Sequence, residues 1–128
     1  ITETDNEILS NSKNLGKYCG VKTTPYVADV FLKEGDYEIG GIKFSVIFTP
    51  GHTAGSCCFL FGDVLISGDT LFYGGYGRTD FPTGSFDDIK KSIKDKLFAL
   101  PRGTKVYPGH GEPTTIGEEI RSNPVNEP

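Results

Sequence analysis

The chain has no methionine or tryptophan, two histidines and three cysteines. Each scarcity excludes something. Three cysteines, Cys19, Cys57 and Cys58, are too few for a disulfide framework. Adjacent Cys57 and Cys58 on a strand would face opposite ways and could not both reach one metal. They read as small apolar side chains in a reducing compartment, so a cytoplasmic location is expected. No apolar run approaches the ~20 residues of a membrane-spanning helix, and no basic, apolar leader opens the chain. With a net charge of −4 and no cluster of Lys and Arg, a nucleic-acid partner is not expected. The chain starts at Ile1. That start is expected to reflect a cloning boundary, a proteolytic cut or a chain that continues upstream.

What is present suits one small domain: 128 residues, 36% hydrophobic and 23% charged. No repeat or low-complexity tract interrupts it. A short helix is expected within Thr2–Ser10, a loop around Gly20 and Pro25, and a strand over Val27–Leu32. Gly35-Asp36 and Gly40-Gly41 are turn signals with a short arm, Tyr37–Ile39, between them. Strands are predicted over Lys43–Phe48, Ser56–Phe61 and Val64–Ser67, with Gly62-Asp63 as a tight turn. Leu71–Gly84 is rich in Gly, Tyr, Pro and Phe and reads as a long functional loop. Ser85 then caps a helix with Ile89, Ile93 and Leu97 on one face and Asp87 and Asp88 in its first turn. Pro101 and Gly103 close it. Lys105–Tyr107 is a short strand. Thr115 and Glu118 form a capping box for a last helix that ends at Pro124. Strands followed by helix, strand and helix indicate an α/β or layered α+β fold.

The chemistry concentrates in three places. His52 and His110 both follow a Pro-Gly pair, Pro50-Gly51 and Pro108-Gly109, at the end of a short apolar strand. Loops at strand ends present polar side chains from a rigid base. A single histidine is more often structural, but two in duplicated contexts favour a site. Asp69 also follows an apolar strand; a turn or cap is its ordinary use. Two imidazoles and a carboxylate suit Zn²⁺ or Fe²⁺. Their spacing is too wide for a zinc finger, so they would converge from separate loops.

These segments resemble the metallo-β-lactamase superfamily, in its glyoxalase II-like (hydroxyacylglutathione hydrolase-like) branch. The resemblance is carried by Thr49-Pro50-Gly51-His52-Thr53-Ala54-Gly55-Ser56, by Ser67-Gly68-Asp69-Thr70-Leu71-Phe72, by Gly77-Arg78-Thr79-Asp80, and by Pro108-Gly109-His110-Gly111 with Thr114-Thr115-Ile116 and Glu118. It covers roughly residues 35–124, in the family's order. It implies that His52 and His110 belong to two neighbouring metal positions and that Asp69 bridges them, as ligand and catalytic carboxylate. The family's His-x-His-x-Asp-His loop has no counterpart here. The resemblance therefore implies one partial domain, residues 1–128: the C-terminal half of an αβ/βα sandwich, with a mostly antiparallel or mixed sheet and helices on one face.

By the same resemblance the intact domain takes two Zn²⁺, with Fe²⁺ or Mn²⁺ also compatible, and hydrolyses a small thioester through a metal-activated water. A lactone or other ester is the alternative substrate. This piece alone is expected to be inactive. Substrate contacts would come from the loop carrying Tyr73, Tyr76 and Arg78. Arg78 and Asp80 read equally as an ion pair holding that loop and as a surface pair of little consequence. The other class of reading is a half-domain that binds metal or self-assembles without catalysis. With one sheet face uncovered, a homodimer through that face is expected.

Overall fold

The computed structural model describes residues 32–127. The expected Thr2–Ser10 helix, the loop at Gly20 and Pro25, most of the Val27–Leu32 strand, and Cys19 lie outside the described residues.

Two hairpins begin the described fold. Strands β1 (Gly35–Ile39) and β2 (Ile42–Phe48) pair antiparallel across Gly40-Gly41. Both glycines have positive φ, +60° and +81°, as a two-residue hairpin turn of this hand requires. Gly35-Asp36 is not a turn, contrary to expectation. These residues open β1, opposite Val46 and Ser45. The Ser45 hydroxyl donates to Asp36 Oδ1 at 2.5 Å, and pairing with β2 overrides their local preference. Strands β3 (Cys57–Phe61) and β4 (Val64–Gly68) form the second hairpin around Gly62-Asp63, as predicted.

The stretch expected as a loop contains a small separate hairpin, β5 (Leu71–Phe72) with β6 (Gly75–Tyr76). Two-residue strands leave too little periodicity to be read from sequence. Strands β7 (Lys105–Pro108) and β8 (Thr114–Thr115) complete a six-stranded sheet in the order β1-β2-β3-β4-β7-β8. Among the described residues only β4 and β7 pair parallel, so the sheet is mixed.

Ser85 caps helix α1 (Phe86–Lys91), its side chain accepting from the Asp88 N–H at 3.2 Å. The helix then widens into a π-helical segment, Ser92–Leu97. A single regular α-helix was the expectation. Ile89, Ile93 and Leu97 recur every four residues, slightly more than an α turn holds. The wider turns keep all three on the sheet side, where each is fully buried. Helix α2 (Ile116–Ser122) is capped by Thr115, which accepts from the Glu118 N–H at 3.2 Å. The Glu118 carboxylate pairs with Arg121. No described helix is long and apolar enough to cross a membrane.

Directly paired strand residues share a face. Ile47 with Cys58, and Leu60 with Leu65 and Val106, therefore form one face. Ile89, Ile93, Leu97 and Ile116 pack on it as the core. Burying each such side chain is worth about 1.5–3 kcal/mol. The sheet is thus layered under helices on one side, as expected of this α/β class. Cys58 is buried in that layer, and burial pushes its thiol up to about 11, so it stays protonated.

The opposite face is aromatic: Phe44 lies 5.3 Å from Phe61 and 6.1 Å from Phe59, centroid to centroid. Ile39, Ile42, Phe61, Ile66 and Tyr107 are exposed, and the strand register puts all five here. This is the face on which the expected self-association would act. Sedimentation equilibrium of the 128-residue chain at micromolar concentration is expected to give a dimer. Ile66→Lys, opposite Tyr107 on that face, should return it to monomer, and a monomeric wild type would remove the homodimer.

Candidate metal centre

The sheet topology brings the three singled-out residues to one edge. Strand β3 runs against both β2 and β4, so β2 and β4 point the same way, and β7 runs parallel to β4. The C-terminal ends of β2, β4 and β7 therefore lie together. His52 follows the first, Asp69 the second and His110 the third.

Asp69 sits between the histidines. Its Oδ2 lies 3.4 Å from His52 Nε2 and its Oδ1 lies 3.3 Å from His110 Nε2. The His52 side chain is mostly enclosed, 15% exposed, whereas His110 is open at 76%. Each carboxylate oxygen thus faces a different imidazole. Among the described residues no three His, Cys, Asp or Glu side chains gather round a single point. The arrangement is two adjacent two-donor positions sharing one carboxylate.

The donor chemistry fits a cation in such positions. His52 Nδ1 lies 2.8 Å from the Arg78 carbonyl oxygen. A carbonyl only accepts, so Nδ1 carries the hydrogen and, in the neutral ring, Nε2 keeps its lone pair towards Asp69. Lone pair then faces carboxylate, which a cation between them would reconcile. The separations agree. Two donors about 2.1 Å from a shared tetrahedral ion stand about 3.4 Å apart, while a good N–H···O bond is about 2.9 Å.

Glycines permit this crowding. Gly68, at φ +51°, turns the chain directly before Asp69. A Cβ on Gly109 would stand 2.8 Å from Asp69 Oδ1. On Gly77 it would fall onto the Asp69 carbonyl oxygen, and on Gly51 onto Ile89 of α1. Both Pro-Gly-His segments thus need their glycine, the first against a helix and the second against the carboxylate.

Beneath the centre, the Thr49 hydroxyl lies 3.0 Å from that of Thr70 and 3.4 Å from Cys58 Sγ. This ties the segment before His52 to the one after Asp69. Further out, the buried Glu119 carboxylate accepts from Thr114 Oγ1 at 2.6 Å and from the Gly74 N–H and Asn123 Nδ2, each at 2.9 Å. It pins the β5–β6 hairpin, whose Phe72 ring meets His110 edge-on at 5.9 Å. The sequence reading singled out Glu118 and passed over Glu119. Both sit in the first turn of α2, and only the packing distinguishes them.

The loop residues separate. Tyr76 packs on the core beside Phe86, and Tyr73 is exposed. Arg78 contributes its backbone to His52, and its guanidinium forms a two-point bond to Asp80, both contacts at 2.6 Å. That pairing holds the Asp80 carboxyl down to about 2. The pair is therefore fully charged at neutral pH and is lost only as the solution is acidified through that value.

A family model described as the metallo-beta-lactamase superfamily matches residues 7–110. The chain belongs to the metallo-β-lactamase superfamily. The family match begins upstream of the motifs that carried the resemblance. Its fold is similar to the crystal structure of BLEG-1 B3 metallo-beta-lactamase, with 36% identity and a TM-score of 0.90 over all of this chain and 64% of that one. It is also similar to TTHA1623, crystallised in a di-iron-bound form, with 34% identity and a TM-score of 0.83 over 97% of this chain and 62% of that one. Among curated sequences, it is 43% identical to the hydroxyacylglutathione hydrolase GloC of Haemophilus influenzae over 73% of this chain and 46% of that protein. The chain spans about half the length of the curated relatives it matches.

Gly77 gives a direct check on this superfamily member. Gly77→Ala must displace the Asp69 backbone, at a cost of about 1–3 kcal/mol. Urea denaturation should show that loss, and an unchanged midpoint would mean that the loop can move away freely.

Proposed function

We propose that the chain supplies one side of a dinuclear metal centre in a metal-dependent thioester hydrolase. The observation that carries this reading is the Asp69 carboxylate, whose two oxygens face two different imidazoles at near-equal distances. In this reading His52 and Asp69 would hold one cation, and His110 and Asp69 the other. Zn²⁺ suits the donor set, and the di-iron form of the similar TTHA1623 supports iron as well. Cations so held would supply Lewis-acid activation of water and of a substrate carbonyl.

The chain's own residues do the rest. The Arg78 carbonyl orients His52, and the buried Thr49–Thr70 contact fixes the two loops against each other. Gly109 leaves room for the carboxylate beside the open His110. The thioester class is supported by the similarity to GloC, named a hydroxyacylglutathione hydrolase.

Two donors per metal position fall short of the three protein ligands typical of a catalytic zinc site. The 128-residue chain by itself is therefore expected to be inactive. Added Zn²⁺ or Fe²⁺ should give no hydrolysis of S-lactoylglutathione beyond the metal-only control, and turnover above it would overturn this expectation. Metal analysis after dialysis should find at most one loosely held ion per chain. Two equivalents surviving dialysis would contradict the two-donor reading.

A further inference from the structure

His52 has two competing acceptors. The Arg78 carbonyl lies 2.8 Å from Nδ1, and the Asp69 carboxylate lies 3.4 Å from Nε2. A neutral imidazole has one N–H, so it can satisfy only one of them. A carboxylate is the stronger acceptor. Left to itself, the ring would turn its hydrogen to Asp69 and lose the lone pair that a cation needs there. Whatever holds the Arg78 carbonyl in place decides the tautomer.

Contacts along the whole loop hold it. The Gly77 N–H donates to the Thr70 carbonyl at 3.2 Å, and the absent Cβ lets this backbone rest on Asp69. The Arg78 guanidinium is gripped by both Asp80 carboxylate oxygens and lies 4.5 Å over the Phe81 ring. Phe81 in turn meets the His52 ring edge-on at 5.3 Å. The far end of the loop is closed by the Gly84 N–H on the Phe81 carbonyl at 2.9 Å and by Thr83 Oγ1, which accepts from the Ala54 N–H at 3.1 Å.

We propose that the Gly77–Phe81 loop is a strap that keeps His52 in its Nδ1–H tautomer, with Asp80 and Phe81 as positioning residues. The side chains of Arg78 and Asp80 are 61% and 65% exposed. An exposed ion pair adds little to global stability. Its effect is local: it fixes the peptide between Arg78 and Thr79, hence the carbonyl that selects the tautomer. The inference rests on the metal-centre reading for its purpose, but its test needs no metal.

The test is imidazole ¹H–¹⁵N correlation spectroscopy on the metal-free chain, at a pH where the rings are neutral. With two histidines in the sequence, His110→Gln assigns the signals. Wild-type His52 should show the Nδ1–H pattern. Asp80→Asn, and separately Arg78→Lys, which keeps the charge but not the fork, should raise the Nε2–H to Nδ1–H ratio at least about threefold without moving the thermal midpoint. An Nε2–H wild type, or an unchanged ratio in a folded variant, would overturn the strap. Zn²⁺ added afterwards tests the other reading. If the variants shift the tautomer but Zn²⁺ perturbs neither histidine, the strap stands and the metal centre falls.

Discussion

The structure turns on where one carboxylate can go. Asp69 leaves the end of β4 between two imidazoles, with backbone pressed on it from two sides. Gly77 rests on the Asp69 backbone carbonyl and Gly109 beside its carboxylate, each too close for a side chain. The carboxylate itself is 38% exposed, and each of its oxygens faces a different imidazole. The register of β4 shifts between Ile66 and Gly68, directly before Asp69.

That placement needs a rigid base, and the polar interior supplies it. Thr49, Thr70 and Cys58 form a buried cluster directly under the centre. Glu119 gathers Thr114, Gly74 and Asn123 beneath the β5–β6 hairpin. Among the described residues no buried side-chain nitrogen or oxygen lacks a partner. Polar groups buried this way are costly unless fully satisfied, so each cluster favours one arrangement over its neighbours. The apolar core holds the helices to the sheet, while the polar clusters hold the loops to each other.

The two faces of the sheet divide the labour. One is sealed by Ile89, Ile93, Leu97 and Ile116. The other leaves five large apolar side chains in water, from Ile39 to Tyr107. A soluble monomer seldom keeps such residues contiguous. The sealed face explains why the sheet holds its shape, and the open one is where a further surface would be buried.

Much was legible in the sequence because it depends on local chemistry. Alternating apolar runs bounded by glycine marked β2, β3 and β4 to within a residue, and Ser85 with Asp87 and Asp88 marked a helix start. The duplicated Pro-Gly-His segments and Asp69 were legible as residue types at strand ends. Other features were decided only by tertiary contact. Gly35-Asp36 has the composition of a turn and became a strand because β2 lies beside it. The helix around Ser92 widened because its apolar face had to stay on the sheet. Glu118 and Glu119 are neighbours of one kind, and burial alone separates them. The atom that orients His52 is a backbone carbonyl, which every residue carries. The sequence by itself determined which side chains could serve and which elements would carry them. Only the tertiary structure decided which oxygen faces which nitrogen, because that depends on how distant backbones pack within a few ångströms.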